Sequence, residues 1–317
     1  MSEVKEMLEY MAHERRRIAL RVQTVMLKAM QEFMVKRGFV QLTPVITSPF
    51  TDPLSPDSSS SVVAIPTLEY CGQRLMLTQS MILHKQLAIA AGYDKVFCFS
   101  PNVRLEKPER GRTGRHLFEF MQMDFEIAFA SMRDVMKLTE KLVSFVIKEV
   151  KKHCADELRA IEAELEVPKR PFKVYTSHEI VERFGKYDDD AASREEKEPF
   201  WIICHKRGFY DREDPERPGH YRNFDLIWPL GFGEALSGGE REYEYEKIVS
   251  RIKRDGLPKH IDEKIYSTYL KLAKARLLKP SAGAGIGVER FLRFLVRAKH
   301  VGDVQLFRRV PGEKVIA

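Results

Sequence analysis

Apolar residues near the start of the chain recur at helical spacing. Ile18, Val22, Val25, Met26, Ala29, Met30 and Phe33 mark one face of a helix over 3–37, with room for one break. Ser2 suits its start, and Lys36, Arg37 and Gly38 suit its end. Such a stripe serves a core or a subunit contact equally well. A short strand over 39–45, broken by Pro44, follows, and then a Ser-, Pro- and Asp-rich stretch over 47–61 that reads as a flexible loop. A helix is expected within 75–91, beginning near Thr78 or Ser80, and an amphipathic helix over 131–153 with Ser131 as its cap. Residues 155–215 are charged and weakly patterned, which reads as an insertion. Residues 223–241 are strand-like with turns at Pro229 and Gly231–Gly233. A helix over 260–279, a glycine-rich strand over 281–287 and a helix over 288–300 complete the chain.

Between the helices, residues 97–129 change to a period of two. Leu117, Met121, Met123, Phe125, Ile127 and Phe129 share one face, interrupted by Glu119, while Phe120, Gln122, Asp124 and Glu126 share the other. On the preceding strand Asn102, Arg104 and Glu106 fall together, and a turn rich in Gly, Pro and Arg (Pro108, Arg110, Gly111, Arg112, Gly114, Arg115) joins the two. The pattern predicts an antiparallel hairpin with one greasy and one chemical face. Hairpin signals, with no crossover units, place the chain in the α+β class: an antiparallel sheet flanked by helices in a single domain, 1–317. The SAGAGIG strand lacks the GxGxxG spacing of a dinucleotide loop.

Composition narrows the classes. The 317 residues are 44% hydrophobic and 31% charged, ordinary for a globular protein. There is no apolar run of about 18 residues to span a membrane, and the charged N-terminus has no signal core. Cys71, Cys98, Cys154 and Cys204 show no CxxC spacing, so they read as reduced thiols of a cytoplasmic protein without a zinc site. The net charge of +7 is interspersed with acids and points only weakly to nucleic acid; a phosphate pocket accounts for part of it.

An arginine loop alone is often a solvated turn. Here three elements stand in order: Gly38-Phe39…Pro44 after a long helix; Arg104-x-Glu106 on a hairpin whose return strand carries His116 and Phe120; and Gly283-x-Gly285-x-Gly287-x-Glu289-Arg290 entering a helix. Together they resemble the three signature motifs of class II aminoacyl-tRNA synthetase catalytic domains. The resemblance implies ATP as substrate. Arg104 would hold the α-phosphate, Glu106 the adenine amino group, and Phe120 would stack under the base. Arg290 would cover its other face or reach the γ-phosphate, Arg115, His116 and Arg112 would gather the terminal phosphates, and Gly287 would let the ligand approach. It also implies a homodimer formed through the 1–45 region.

Within class II the chain is most similar to the aspartyl/asparaginyl branch, through Arg115–Phe120 (RHLFEF) and the segment Gly233-Glu234-Ala235-Leu236-Ser237-Gly238-Gly239-x-Arg241. That implies magnesium on Glu234 and Ser237 with Asp225 in support, and a substrate pocket of Gln79, Lys85, Asp124 and Arg241. Lys85, Asp124 and Ser237-Gly238 match the aspartyl wording, while Pro229-x-Gly231-x-Gly233-Glu234 is closer to the asparaginyl one. Two cations, Lys85 and Arg241, favour an anionic side chain, hence aspartate. Ile82 replaces a glutamine common in aspartyl enzymes, and Pro56–Ser60, with Asp57, replaces their acidic lid. No anticodon-reading barrel is evident before the catalytic motifs. The chain therefore resembles archaeal asparagine synthetases related to asparaginyl-tRNA synthetase. The activity this implies is aspartate–ammonia ligation. A β-aspartyl-adenylate forms from ATP and ammonia displaces AMP, with Arg104, Asp124 and Arg290 as catalytic residues and Asp124, Glu126 or Asp57 as proton acceptor; tRNA is not expected as a partner. A truncated aspartyl-tRNA synthetase relative that loads tRNA, or a non-catalytic binding subunit, are the alternatives.

Overall fold

A computed structural model describes residues 2–50, 62–255 and 266–315. In chain order the strands are β1 (Val40–Gln41), β2 (Thr47–Ser48), β3 (Val62–Ala64), β4 (Thr67–Tyr70), β5 (Gln73–Leu77), β6 (Lys95–Val103), β7 (Leu105–Glu106), β8 (Glu119–Ala128), β9 (Lys173–Thr176), β10 (Phe200–Ile203), β11 (Asn223–Trp228), β12 (Gly233–Glu240) and β13 (Ser281–Gly287). The helices are α1 (Ser2–Ala12), α2 (Glu14–Val35), α3 (Ile82–Ala90), α4 (Met132–His153), α5 (Ala155–Ala160), α6 (Ser177–Phe184), α7 (Asp189–Glu195), α8 (Tyr245–Asp255), α9 (Ser267–Lys274) and α10 (Val288–Leu295). Eight strands form one sheet in the order β1-β6-β8-β13-β12-β11-β10-β9. Its six central strands are antiparallel, and only the outer pairs β1/β6 and β9/β10 are parallel.

The period-two hairpin is β6 and β8, paired from Lys95↔Ile127 to Val103↔Glu119. Met123 and Phe125 face a core shared with α2, α4 and α10. Full burial of a side chain such as Phe125 is worth about 1.5–3 kcal/mol. The opposite face of β8 carries Asp124 and Glu126, both buried, beneath α3. The α2 stripe is buried in the same core: Ile18, Val22, Met26, Ala29, Met30 and Phe33 all belong to it. Ser131 caps α4 in a capping box with Asp134, as its sequence position suggested.

Several boundaries differ from the sequence expectations. The first helix breaks at His13, and the strand over 39–45 shrinks to two residues, Pro44 being unable to donate to a ladder. The helix within 75–91 begins only at Ile82, because β5 occupies 73–77 as the partner of β4. The 155–215 stretch supplies α5–α7 and the strands β9 and β10 of the main sheet. The last helix ends at Leu295, and a short 3-10 turn follows at Val301–Val304. Of the helix over 260–279, α9 is the described part; Asp57, with the rest of 51–61, lies outside the described residues.

Candidate active site

The hairpin turn and the β13–α10 junction enclose a cleft of about 500 Å3, lined among others by Arg104, Glu106, Arg115, His116, Phe120, Gln122, Glu234, Gly287, Glu289 and Arg290. Arg104 leaves β6 and donates from Nε to the Gln79 carbonyl at 3.1 Å, with its guanidinium 5.0 Å from the Phe120 ring centre. Among the described residues no carboxylate pairs with it. Arg290 sits in the first turn of α10, an unfavourable place for a cation against the helix dipole. Glu234 offsets this: Arg290 Nη1 donates to its Oε1 and to its carbonyl, both at 3.1 Å, while Nε reaches the Arg115 carbonyl at 3.1 Å.

Three expected phosphate ligands behave differently. Arg115 is held by Asp189 and Asp190 at the start of α7, each at 2.8 Å. His116 is neutral: burial, then Arg290, Arg110, Arg115 and Arg104, push its pKa down to about 2. Its Nε2 accepts from Arg110 at 2.6 Å, so Nδ1 carries the proton and donates to Thr113 Oγ1 at 2.5 Å. Arg112 is exposed on the turn and does not line the cleft. Glu289 had no assigned role in the sequence reading. Its carboxylate accepts from the Met121 amide at 3.0 and 3.1 Å, and burial raises its pKa to about 7.

Deeper along the same face of the sheet lies a buried charge cluster. Lys85 of α3 donates to Asp124 Oδ1 at 2.8 Å and to the Ala284 carbonyl at 3.1 Å, with Glu126 Oε2 3.8 Å away. Arg241 grips Glu126 with Nε and Nη2 at 3.0 and 3.2 Å, and Asp211 with Nη1 at 3.3 Å. Ser281 Oγ also donates to Glu126, at 2.9 Å. Gln79 and Gln86 are buried beside them, Gln86 accepting from Tyr269 at 2.7 Å. The glycines of β13 make this possible. A Cβ on Gly285 would lie 2.9 Å from Asp124 Oδ1, and one on Gly283 would collide with Glu126. Lys85 and Arg241, expected to face an anionic substrate side chain, meet three carboxylates of the chain itself. Among the described residues, Asp124 Oδ2 is buried with no hydrogen-bond partner. Glu126 was legible from its parity with Asp124; Asp211 and Asp189 carry no local signal.

Glu234, Ser237 and Asp225 lie on β12 and β11, with Asp225 opposite Ser237. Glu234 and Ser237, three residues apart, would point to opposite faces of a regular strand. The register pairs Leu226 with Leu236 but Ile227 with Glu234, and this bulge at Ala235 returns both to one face. Asp225 is committed elsewhere, to Arg207 through Oδ1 and to His205 through Oδ2 at 3.1 Å. Oxygen donors at Glu234 and Ser237 fit magnesium; Asp225 fits only as a neighbour.

A family model, tRNA synthetases class II (D, K and N), matches residues 3–311. The asparagine–tRNA ligase of Pyrococcus abyssi is 30% identical over 312 residues, covering 92% of this chain and 68% of that protein. That of Koribacter versatilis is 29% identical over 323 residues, covering 93% and 69%. Among solved structures, asparaginyl-tRNA synthetase from Pyrococcus horikoshii complexed with asparaginyl-adenylate superposes with a TM-score of 0.82 at 26% identity, over 95% of this chain and 70% of that one. The aspartyl tRNA synthetase of Entamoeba histolytica, at a TM-score of 0.73 and 24% identity over 94% and 59%, shares the fold. These matches overturn two expectations. The relatives are tRNA ligases, so aspartate–ammonia ligation loses its support, and so does the exclusion of tRNA as a partner.

Proposed function

The chain belongs to the class II tRNA synthetases of the D, K and N group, and from that premise we propose that it activates asparagine with ATP and transfers it to tRNA. The observation that carries the choice of amino acid is the buried charge cluster. Both cations that could hold an anionic side chain already have carboxylate partners at 2.8–3.3 Å. Asp124 Oδ2, an acceptor without a donor among the described residues, suits a carboxamide or ammonium N–H. An added carboxylate would have to displace one of those partners in a buried site, at a cost of several kcal/mol. The names of the relatives at 29–30% identity support the same choice.

In this assignment ATP occupies the cleft between β8 and α10. Arg104 neutralises the α-phosphate as the substrate carboxylate attacks in line and pyrophosphate leaves. Arg290 exchanges Glu234 for phosphate oxygens, which frees Glu234 to join Ser237 in holding magnesium. The metal would supply charge neutralisation at the phosphates. The adenylate then passes its acyl group to a tRNA hydroxyl. Aspartate is the second reading, favoured by Lys85, a buried cation 2.8 Å from Asp124.

The test is ATP–pyrophosphate exchange with asparagine or aspartate as the only amino acid, followed by charging of total tRNA. Exchange and charging with asparagine are expected. Exchange with aspartate alone would replace the first reading by the second, and no exchange with either would overturn both.

A further inference from the structure

Outside the cleft, the fold gathers a second set of ligand-type side chains. His178 lies in the first turn of α6, Cys204 directly follows β10, and His220 precedes β11. Their ligating atoms all lie within 4.8 Å of one another. Cys204 Sγ is 3.1 Å from His220 Nδ1, and the two imidazoles are stacked with ring centres 5.0 Å apart and 13° between planes. We propose that His178, Cys204 and His220 form a binding site for a borderline-soft divalent metal ion of the zinc type.

Three observations carry this. The first is the donor set. One thiolate and two imidazoles suit zinc and its transition-metal neighbours and do not suit magnesium or calcium, which take oxygen. The second is spacing. Tetrahedral bonds of about 2.3 Å to sulfur and 2.0–2.1 Å to nitrogen put ligand atoms roughly 3.3–3.6 Å apart. The present separations therefore need only side-chain adjustment, and His178 is exposed and free to turn. The third is the backbone at Cys204. Its φ is +71°, a left-handed value that a non-glycine residue holds only when its surroundings enforce it. They do: the Cys204 carbonyl accepts from Ser177 Oγ at 2.6 Å, and its amide donates to the Asn223 carbonyl at 3.2 Å. The same two bonds tie the thiol to the start of α6, beside His178, and to the start of β11, beside His220.

His178 also lines a cavity with Glu182, Arg115, Asp225 and Glu234. With three protein donors, the fourth tetrahedral position would be left to water. A bound ion would pin α6 to the 204–222 segment. That segment also carries His205 and Arg207, the two partners of Asp225. The absence of any CxxC spacing hid the site, because its ligands come from three separate elements.

The test uses the full chain without a histidine tag, stripped with chelator and titrated with Zn2+ and, separately, with Co2+. One retained zinc per chain is expected, with a sulfur-to-cobalt charge-transfer band. Cys204→Ser should abolish the band, while Cys71→Ser, which removes an exposed thiol elsewhere, should keep it. His178→Ala changes an exposed side chain, so its fold is retained, and should weaken zinc binding by at least about 100-fold, since losing even a group that only hydrogen-bonds a ligand costs about 10–100-fold. No zinc retained at micromolar concentration would overturn the proposal. So would zinc held equally well by Cys204→Ser and His178→Ala, as an ion on Glu234 would be.

Discussion

At the end of the site proposed to take the amino acid, Lys85 and Arg241 are 2–3% exposed and meet Asp124, Glu126 and Asp211 within 2.8–3.3 Å. At the end proposed to take the phosphates, the Arg104 guanidinium has, among the described residues, only a backbone carbonyl and an aromatic ring beside it, and Arg290 holds a half-exposed Glu234. Burial, with four arginines acting in the same direction, keeps His116 neutral there. One end neutralises its own charge in the folded chain, while the other leaves positive potential for a ligand to neutralise. Folding stability and catalysis therefore draw on different cations. A buried pair that loses one member leaves an uncompensated charge. A partly exposed arginine that is lost leaves no buried charge behind, but removes a cation that would stabilise the charge developing on the phosphate in the transition state.

Deleting Arg104 should give the largest effect. Arg104→Met is expected to lower kcat/KM for ATP–pyrophosphate exchange by about 10³–10⁵-fold, as for other arginines that clamp a transferring phosphoryl group. Its urea midpoint should stay close to that of the parent. Wild-type exchange in this variant, or a collapse of its stability, would break the contrast between the two ends.

Lys85→Met reverses the expectation. Asp124 loses its cation while remaining fully buried, and Glu126 keeps only Arg241, so unfolding free energy should fall by about 3–5 kcal/mol, read from chemical denaturation. The double variant Lys85→Met with Asp124→Leu should recover much of that loss, since an apolar pair carries no desolvation cost. If the single variant were as stable as the parent, the cluster would be hydrated, and the charge argument for asparagine would fall with it.

What was legible in the sequence divides along the same line. Period and order exposed the hairpin, its chemical face and the β13–α10 junction, because strand alternation is a local property. Arg104, Glu106, Phe120 and Arg290 do line one cleft. Pairing across the fold was not legible. Nothing local links Arg115 to Asp189 and Asp190, Arg241 to Asp211, or Asp225 to Arg207. Two cations around one pocket pointed to aspartate, and their carboxylate partners, 39 and 115 residues away in the chain, were not visible as partners. Arg112 and His116 were assigned to phosphate through the family resemblance; one faces solvent, and the other is kept neutral by burial and held by Arg110 and Thr113. The bulge at Ala235 was equally invisible, since Glu234 and Ser237 share a face only through a register shift.

Glu289 gives the smallest effect and the finest test of the phosphate end. It is buried and, among the described residues, no cation pairs with it; burial lifts its pKa from 4.5 to about 7. The folded state therefore binds this proton more tightly than the unfolded state. Between pH 4.5 and 7 the native chain holds more protons, so stability from this group is fully present below about pH 4.5 and declines as pH rises to about 7. The accumulated loss is at most about 3 kcal/mol. Glu289→Gln keeps an oxygen to accept from the Met121 amide and cannot ionise. Its stability should equal that of the parent near pH 4.5 and exceed it by up to about 3 kcal/mol at pH 8, measured by urea unfolding across the range. If parent and variant curves ran parallel, Glu289 would be ionised and solvated, and the phosphate end more open to water than its geometry implies. A pH-dependent gap that saturating ATP changes would instead tie this proton to nucleotide binding, since the carboxyl lies in the same cleft as Arg290.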